Sequence, residues 1–376
     1  MLKPAAMVPA VLTFLLAGSS LLLAVTAQPA VAPPRPSATA PSAAPSAIDR
    51  PAGIRRFGLE EPIAKPAGAI RLATYNIENF FSKAGEFPEV TGAQPPAHLS
   101  GDGQDRVAQP IKPRAEAQNV ADTIRRVDAD VIALQEVGSK EDLLAFRDQF
   151  LKGLGYDHVS SIDAGDGRGI EQSVLSRFPI SNESNWPKKS LEGQHPDRWG
   201  RDANENAGKP IAFARSPLRV TIDLPAADGK TTPLTLFVIH HKSGGPGGYW
   251  REAEAQGVAE LATEFSKDHP GQPVAILGDF NCRPGDRPMS IYQQAGWSDT
   301  FEDRNEQDPR WITHTSGRSI DCILANDALK DAVVKDTRFI LGTPTRAEGV
   351  DWRNTPNPTG WASDHYPVVI DLKFAK

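Results

Sequence analysis

Between Ile70 and Phe374, short apolar, β-branched runs alternate with stretches whose apolar residues return every third or fourth position. The runs predict strands over Ile70–Tyr75, Val131–Leu134, Ser173–Leu175, Leu218–Leu224, Leu234–Ile239, Val274–Leu277, Ile320–Leu324 and Val368–Leu372. The longer period predicts helices over Arg114–Val127, Glu141–Leu154 and Tyr249–Lys267, the last with Val258, Leu261, Ala262 and Phe265 on one face. Strands and helices alternate early, and strands follow one another like hairpins in the middle. Without any internal repeat, that order predicts an α/β domain with mixed sheets.

The chain before Ile70 follows different rules. Lys3 precedes an apolar run from Val8 to Ala27, which ends in the small residues Val25-Thr26-Ala27, and this predicts a secretory signal peptide over residues 1–27. Gly18-Ser19-Ser20 interrupts the run, which barely reaches the roughly 18–20 residues a membrane span needs. Residues 28–68 are rich in Pro, Ala and Ser and poor in large apolar side chains, so they are expected to form an extended linker. The remaining expectation is one catalytic-size domain over residues 69–376, in a secreted or periplasmic protein.

Composition adds limits. At 376 residues and 39% hydrophobic, the chain can bury a sizeable core. Its net charge of −6 argues against a broad basic surface for nucleic acid, although a cation in a small cleft can still reverse the local field. The two cysteines, Cys282 and Cys322, are too few to build a disulfide scaffold, and the sequence leaves open whether they pair.

Polar residues recur where the predicted strands end. Asn76 follows the first strand, Gln135-Glu136 the second, His240 the run Phe237-Val238-Ile239, and Asp279 and Asn281 the run Ala275-Ile276-Leu277-Gly278. Asp321 lies inside Ile320–Leu324, and Asp364-His365 precedes the last strand. One such residue is ordinary strand-end capping. Six such places describe a cleft along one edge of a sheet, where α/β proteins put their ligands. No Gly-rich phosphate loop, Gly-x-Ser-x-Gly elbow or structural-zinc spacing is present, which weighs against nucleotide-cofactor, serine-hydrolase and zinc-site readings. Carboxylates such as Glu136 and Asp364, with the amide oxygens of Asn76 and Asn281, suit a hard cation: Mg²⁺ first, then Mn²⁺ or Ca²⁺. Imidazoles beside a polarised phosphoryl group can shuttle protons if carboxylates orient them, and Asp321 and Asp364 are available either for that or for the metal.

The ordered set Tyr75-Asn76-Ile77, Leu134-Gln135-Glu136, His240-His241-Lys242-Ser243, Gly278-Asp279-Phe280-Asn281, Ile320-Asp321-Cys322 and Ser363-Asp364-His365-Tyr366-Pro367 resembles the endonuclease/exonuclease/phosphatase superfamily, the fold of pancreatic-type deoxyribonuclease. The resemblance implies a four-layer α/β/β/α sandwich with mixed, largely antiparallel sheets, and metal-dependent hydrolysis of a phosphate ester by an activated water. It also implies site roles. Glu136 would be the principal metal ligand, assisted by Asn76, with Asp364 at the metal or beside the water. Asp279 and Asn281 would position the water and the phosphate. His240 would contact the phosphate with Asp321 behind it, and His365 would be the second imidazole, paired with Glu171. Arg215 would bind the substrate phosphate.

Position 241 is His where an apolar residue is common, so choosing His240 rests on the His-x-Lys-Ser register and on strand alternation. Inserted loops over about 84–113, 182–209 and 343–362 carry Trp186, Trp199, Trp352 and Trp361, which can pack a loop down or stack on a ligand at a cleft rim. The expected protein is a secreted, monomeric, metal-dependent phosphodiesterase acting on DNA or RNA, without stable membrane insertion once the signal is cleaved. The alternatives are a phosphatase or phospholipid or sugar-phosphate phosphoesterase on the same scaffold, or an inactive binding module.

Overall fold

The computed structural model describes residues 50–89, 110–226, 230–305 and 307–374, all within one compact unit, Ala43–Lys376. The expected signal peptide and most of the expected linker lie outside the described residues. In chain order the strands of the two main sheets are β1 (Ile70–Phe80), β2 (Val131–Val137), β3 (His158–Ser161), β4 (Glu171–Ser176), β5 (Ile180–Asn185), β6 (Leu218–Pro225), β7 (Thr231–His240), β8 (Val274–Asp279), β9 (Ser298–Asp299), β10 (Asp321–Ala325), β11 (Phe339–Ile340) and β12 (Val368–Leu372). They form two six-stranded sheets, ordered β11-β12-β1-β2-β4-β3 and β9-β10-β8-β7-β6-β5. Each sheet has one parallel pair, β1 with β2 and β7 with β8, and its other pairs are antiparallel. Parallel neighbours need a long crossover, and helices α1 (Arg114–Val127) and α3 (Gly248–Asp268) supply it.

Three apolar clusters fix the layers. In β2, Val131 and Ala133 enter a cluster between the sheets with Leu236, Leu277, Ile323 and Ile370. Their neighbours Ile132 and Leu134 enter a second cluster with Val120 and Ile124 of α1 and Phe146 of α2 (Lys140–Phe150). Successive strand residues face opposite sides, so a strand buried on both faces reads as an unbroken apolar run. The third cluster sets Phe237 and Ile276 against Val258 and Ala262 of α3 and Tyr292 of α4 (Arg287–Gln294). The result is the expected four-layer α/β/β/α sandwich.

The differences from expectation have local causes. Strands β3 (HVSS) and β5 (ISNESN) lie at sheet edges and are too polar to stand out in the sequence. Helix α2 stops at Phe150 instead of Leu154, and Gly153 beyond it has φ 84°, a value that ends a helix cheaply. The linker expected to reach Gly68 is already laid on the domain from about Arg50. Ile54 bridges Thr345 and Leu59 bridges Leu341. Leu59 and Ile63 fill the edge of the α1/α2 cluster, and the Phe57 ring centroid lies 6.2 Å from that of Tyr366. The side chains of Phe57, Leu59 and Ile63, with the backbone bridges of Ile54 and Leu59, hold this strap down.

Candidate active site

The site grows out of strand alternation. Val238, Leu277 and Ile323 point into the space between the sheets, and His240 and Asp279, two residues after the first two, and Asp321, two residues before the third, continue the same face. These three are in register, His240 opposite Asp279 and Asp279 opposite Asp321, so their side chains lie side by side where the sheets part. His241 turns the other way, to the helix side, where its Nε2 is 2.7 Å from Tyr292 Oη and its Nδ1 is 3.4 Å from Glu254. Alternation thus selects His240 for the cleft, as expected.

The first sheet brings its own strand ends to the same opening. Asn76 Nδ2 donates to Asp279 Oδ2 across the gap at 3.2 Å. Ser363 donates its hydroxyl to Asn76 O at 2.7 Å and accepts the His365 amide at 3.1 Å, which pins the segment before β12 to the end of β1. Glu136 breaks the alternation: its φ is 64°, the β2 register slips between Leu134 and Val137, and its carboxylate swings into the cleft, where Oε2 accepts the Asn79 amide at 2.8 Å. Asn281 also has positive φ, 50°, and its amide group donates to His241 O at 3.0 Å and to Asp279 Oδ2 at 3.1 Å. Strained backbone at two cleft residues, held by hydrogen bonds from both sheets, is the pattern of a functional site.

The two cleft imidazoles are tuned oppositely. Burial pushes His240 well below its ordinary value, and the nearby guanidiniums of Arg215 and Arg168 push it further, so it is neutral. Burial opposes charge at His365 as well, but Asp321, Asp364 and Asp279 around it raise its value well above normal, so it is a cation. Burial raises Asp279 to about 7, with Asp321 and Glu136 adding repulsion against the opposing pull of His365. Burial would also raise Asp364, yet His365 and His314 hold it well below the usual carboxylate range.

Ten residues were singled out from sequence, and Glu136, His240, Asp279, Asn281, Asp364 and His365 line one cleft of about 690 Å³. Asp321 lies directly beneath it. It does not stand behind His240: His365 Nδ1 is 3.0 and 2.9 Å from its two carboxylate oxygens. That corrects the expected Glu171–His365 pair as well, because this nitrogen is already taken. Glu171, buried at the start of β4, accepts the Ala164 amide. Arg215 is not presented to a phosphate either. It is 5% exposed, and it donates to His240 O at 2.8 Å, to His241 O at 2.6 Å and to Asp166 at 3.1 Å, bracing the end of β7. Asn76 is buried below the cleft, its Oδ1 accepting the Glu78 amide and its amide group committed to Asp279.

Two residues beside the acidic groups Glu136 and Asp364 were missed. Arg168 Nη2 lies 3.8 Å from Glu136 Oε1, and its Nη1 donates to Asn79 Oδ1 at 3.4 Å. Its only sequence signal is its place in Gly167-Arg168-Gly169, just ahead of a strand. His314 is brought alongside His365 by a backbone bridge, with ring centroids 4.5 Å apart and its Nε2 3.4 Å from Asp364. It sits in a loop with no motif around it.

The donor set suits a hard divalent cation. Glu136 and Asp364 face the same cleft and bring carboxylate oxygens to it, while the cationic His365 has no lone pair to offer an ion. Asp279, with its value raised among other carboxylates, marks a place where a positive charge relieves repulsion.

The model of the Endonuclease/Exonuclease/phosphatase family matches residues 73–365. A comparison with curated proteins returns no match. Among solved structures, the human Nocturnin catalytic domain with bound sulfate is similar at 14% identity and TM-score 0.49, covering 85% of this chain and 98% of that one. An endonuclease/exonuclease/phosphatase from Beutenbergia cavernae is similar at 17% identity and TM-score 0.49, covering 82% and 72%. The Bacteroides thetaiotaomicron mannosyl-6-phosphatase Bt3783 is similar at 16% identity and TM-score 0.47, covering 81% and 100%. With the family model covering most of both sheets and every cleft residue from Asn76 to His365, the chain belongs to the endonuclease/exonuclease/phosphatase family of metal-dependent phosphoric ester hydrolases.

Proposed function

We propose that this protein is a secreted nuclease that hydrolyses phosphodiester bonds of DNA or RNA, with Mg²⁺ as its metal. The observation that carries the reading is the shape of the site. The cleft of about 690 Å³ adjoins a second cavity of about 540 Å³, and Glu136, His314 and Asp364 line both. The carboxylates of Glu136 and Asp364 therefore stand where the two cavities meet, with room for a substituent on each side. That fits a diester within a strand better than a terminal monoester. Arg251, Arg283 and Arg318 line the first cavity and Arg168 the second, a local supply of cations on a chain of net negative charge. Secretion rests on the apolar run and small-residue end of residues 1–27.

Glu136 and Asp364 would hold the cation, which when bound supplies positive charge to the phosphoryl oxygens. The protein's own groups divide the remaining work. Asp279, raised to about 7, accepts a proton from the attacking water, with its carboxylate fixed by the Asn281 amide at 2.8 Å and by Asn76 Nδ2. His365, cationic and braced at Nδ1 by Asp321, donates from Nε2 to a phosphoryl oxygen. Neutral His240 lies with Nε2 3.5 Å from Asp279 and 3.7 Å from Glu136, positioned to hydrogen-bond the phosphate. The water oxygen bonds to phosphorus as the bond to the leaving oxygen breaks.

The test is a substrate panel with the purified protein: plasmid DNA, RNA, sphingomyelin and small phosphomonoesters, each with Mg²⁺, Mn²⁺ or Ca²⁺. Strand cleavage is expected. Turnover confined to monoesters or to sphingomyelin would replace the nuclease reading with one of the other phosphoesterase readings.

A further inference from the structure

The second cavity is built by segments that the phosphate chemistry does not use. The strap from Arg50 is fastened to the 343–362 loop through Ala52–Thr359 and Ile54–Thr345. Behind the cavity Trp361 is fully buried, its Nε1 donating to Glu78 Oε2 at 2.9 Å and its ring covered by Arg346 at 4.7 Å. This wall is rigid. The rim is different. Among the described residues the exposed large hydrophobics are Ile54, Val350 and Trp352, all on the strap and this loop, and Val350 and Trp352 line the cavity. Trp352 is 48% exposed, with Arg353 over its ring at 4.5 Å. A half-exposed indole at a cleft mouth offers a flat face on which a planar group can stack.

We infer that this cavity is a nucleoside subsite: it takes the planar heteroaromatic base of one nucleotide flanking the scissile phosphate, stacked on Trp352. The inference rests on the nuclease reading and deepens it. The chemistry of the wall selects this occupant. Arg56, Arg168 and Arg346 put three guanidiniums around the space, with Glu78, Asn79 and Ser316 between them. Such a lining offers donors and acceptors to the edge of a base and cations to its phosphate. A lipid tail would need an unbroken apolar wall, which this cavity does not have. The shared residues Glu136 and Asp364 place the subsite next to the groups that handle the phosphate.

The test compares a single-stranded oligonucleotide with the same strand lacking one base, replaced by tetrahydrofuran, on either side of the scissile phosphate. On the intact strand, Trp352→Ala is expected to raise KM roughly tenfold with kcat nearly kept, since base–aromatic stacking supplies that much affinity. Trp352→Phe should recover most of the loss. On the strand lacking the stacked base, Trp352→Ala should add nothing. An unchanged KM with hydrolysis intact would overturn the subsite and leave the nuclease reading standing. Equal losses on both abasic strands, or a Trp352→Ala defect seen only as lost binding to sphingomyelin vesicles, would overturn it as well. If the unmodified protein cleaves no strand with any of the three metals, the nuclease reading itself fails, and the subsite with it.

Discussion

Asp321 and His365 form a buried pair in which one imidazole nitrogen, Nδ1, lies within 3.0 Å of both carboxylate oxygens. The two residues are 44 positions apart in the chain and come from β10 and from the loop before β12, so the pair joins the two sheets at the cleft. It leaves Nε2 facing the substrate space with its charge supported from behind.

If the pair acts as a unit, its losses will not multiply. His365→Ala is expected to lower kcat by roughly 10²–10⁴-fold. Asp321→Asn should cost less, and the double variant should match His365→Ala alone. The check is kcat/KM for all four proteins on one strand substrate. Fully multiplicative losses would show that His365 does not depend on Asp321.

Glu136 is aimed at the cleft by an unusual backbone angle, and its role follows from charge. Glu136→Gln keeps the volume and removes the negative charge, so turnover should fall to background even at saturating Mg²⁺, with the thermal midpoint nearly unchanged. Chelation followed by dialysis should abolish activity in the unaltered protein, and added Mg²⁺ should restore it. Near-normal rates in the variant would remove Glu136 from the metal.

Much of this site was legible because its residues sit at the ends of apolar strands, and period-two alternation fixes which way each one points. His240, Asp279 and Asp321 follow Val238 and Leu277 and precede Ile323 on one face, and sequence alone supports that reading. What sequence could not give was pairing between distant segments. Asp321 and Glu171 were both plausible partners for an imidazole, and only the three-dimensional register decides between them. Arg215 and Arg168 show the same limit. Each is an arginine in a loop leading into a strand, but one is buried against backbone carbonyls and the other opens onto the cleft. The strap from Arg50 was hidden by composition, because four apolar side chains among Pro and Gly leave no periodic signal.

The two arginines make a prediction together. Arg215 holds the carbonyls of His240 and His241 and pairs with Asp166, all in a buried setting. Arg215→Ala should therefore destabilise the fold by about 3–5 kcal/mol, the cost of leaving a buried partner unpaired. The Arg168 side chain, 26% exposed beside Glu136, should behave oppositely. Arg168→Ala should weaken turnover and leave the unfolding free energy within about 0.5 kcal/mol of normal. Urea unfolding and steady-state kinetics on both variants distinguish the roles. A stable Arg215→Ala protein with a raised KM would return Arg215 to the phosphate.

Cys282 and Cys322 are both unbridged and buried. Burial raises the Cys322 thiol to about 12 and places Cys282 well above its ordinary value, with each further affected by nearby acidic groups. Neither forms much thiolate near neutral pH, and the thiolate is the reactive species. The native protein should therefore react slowly with a thiol reagent, and the unfolded, unreduced protein should show two reactive thiols. No reactive thiol after unfolding would demonstrate a bridge.

The last prediction concerns the residue that lets β7 and β8 deliver their side chains to one point. Gly278 lies opposite Ile239 in the parallel pair, one position before His240 and Asp279 meet in register. Its φ is 141°, a region that side chains rarely adopt, and a Cβ there would fall 2.0 Å from Ile239 O. The clash is with backbone, so no rotamer change relieves it. Either the strands separate locally or Gly278 moves toward ordinary β values, and both displace Asp279 from His240, now 3.5 Å away. Gly278→Ala should cost about 1–3 kcal/mol of stability from backbone strain alone. It should also lower kcat by roughly a hundredfold, since displacing a catalytic group by about 1 Å has that effect. Urea unfolding gives the first quantity, and turnover of the fraction that remains folded gives the second. A variant with both normal stability and normal kcat would show that the close approach of the two strands is not needed to hold His240 and Asp279 together.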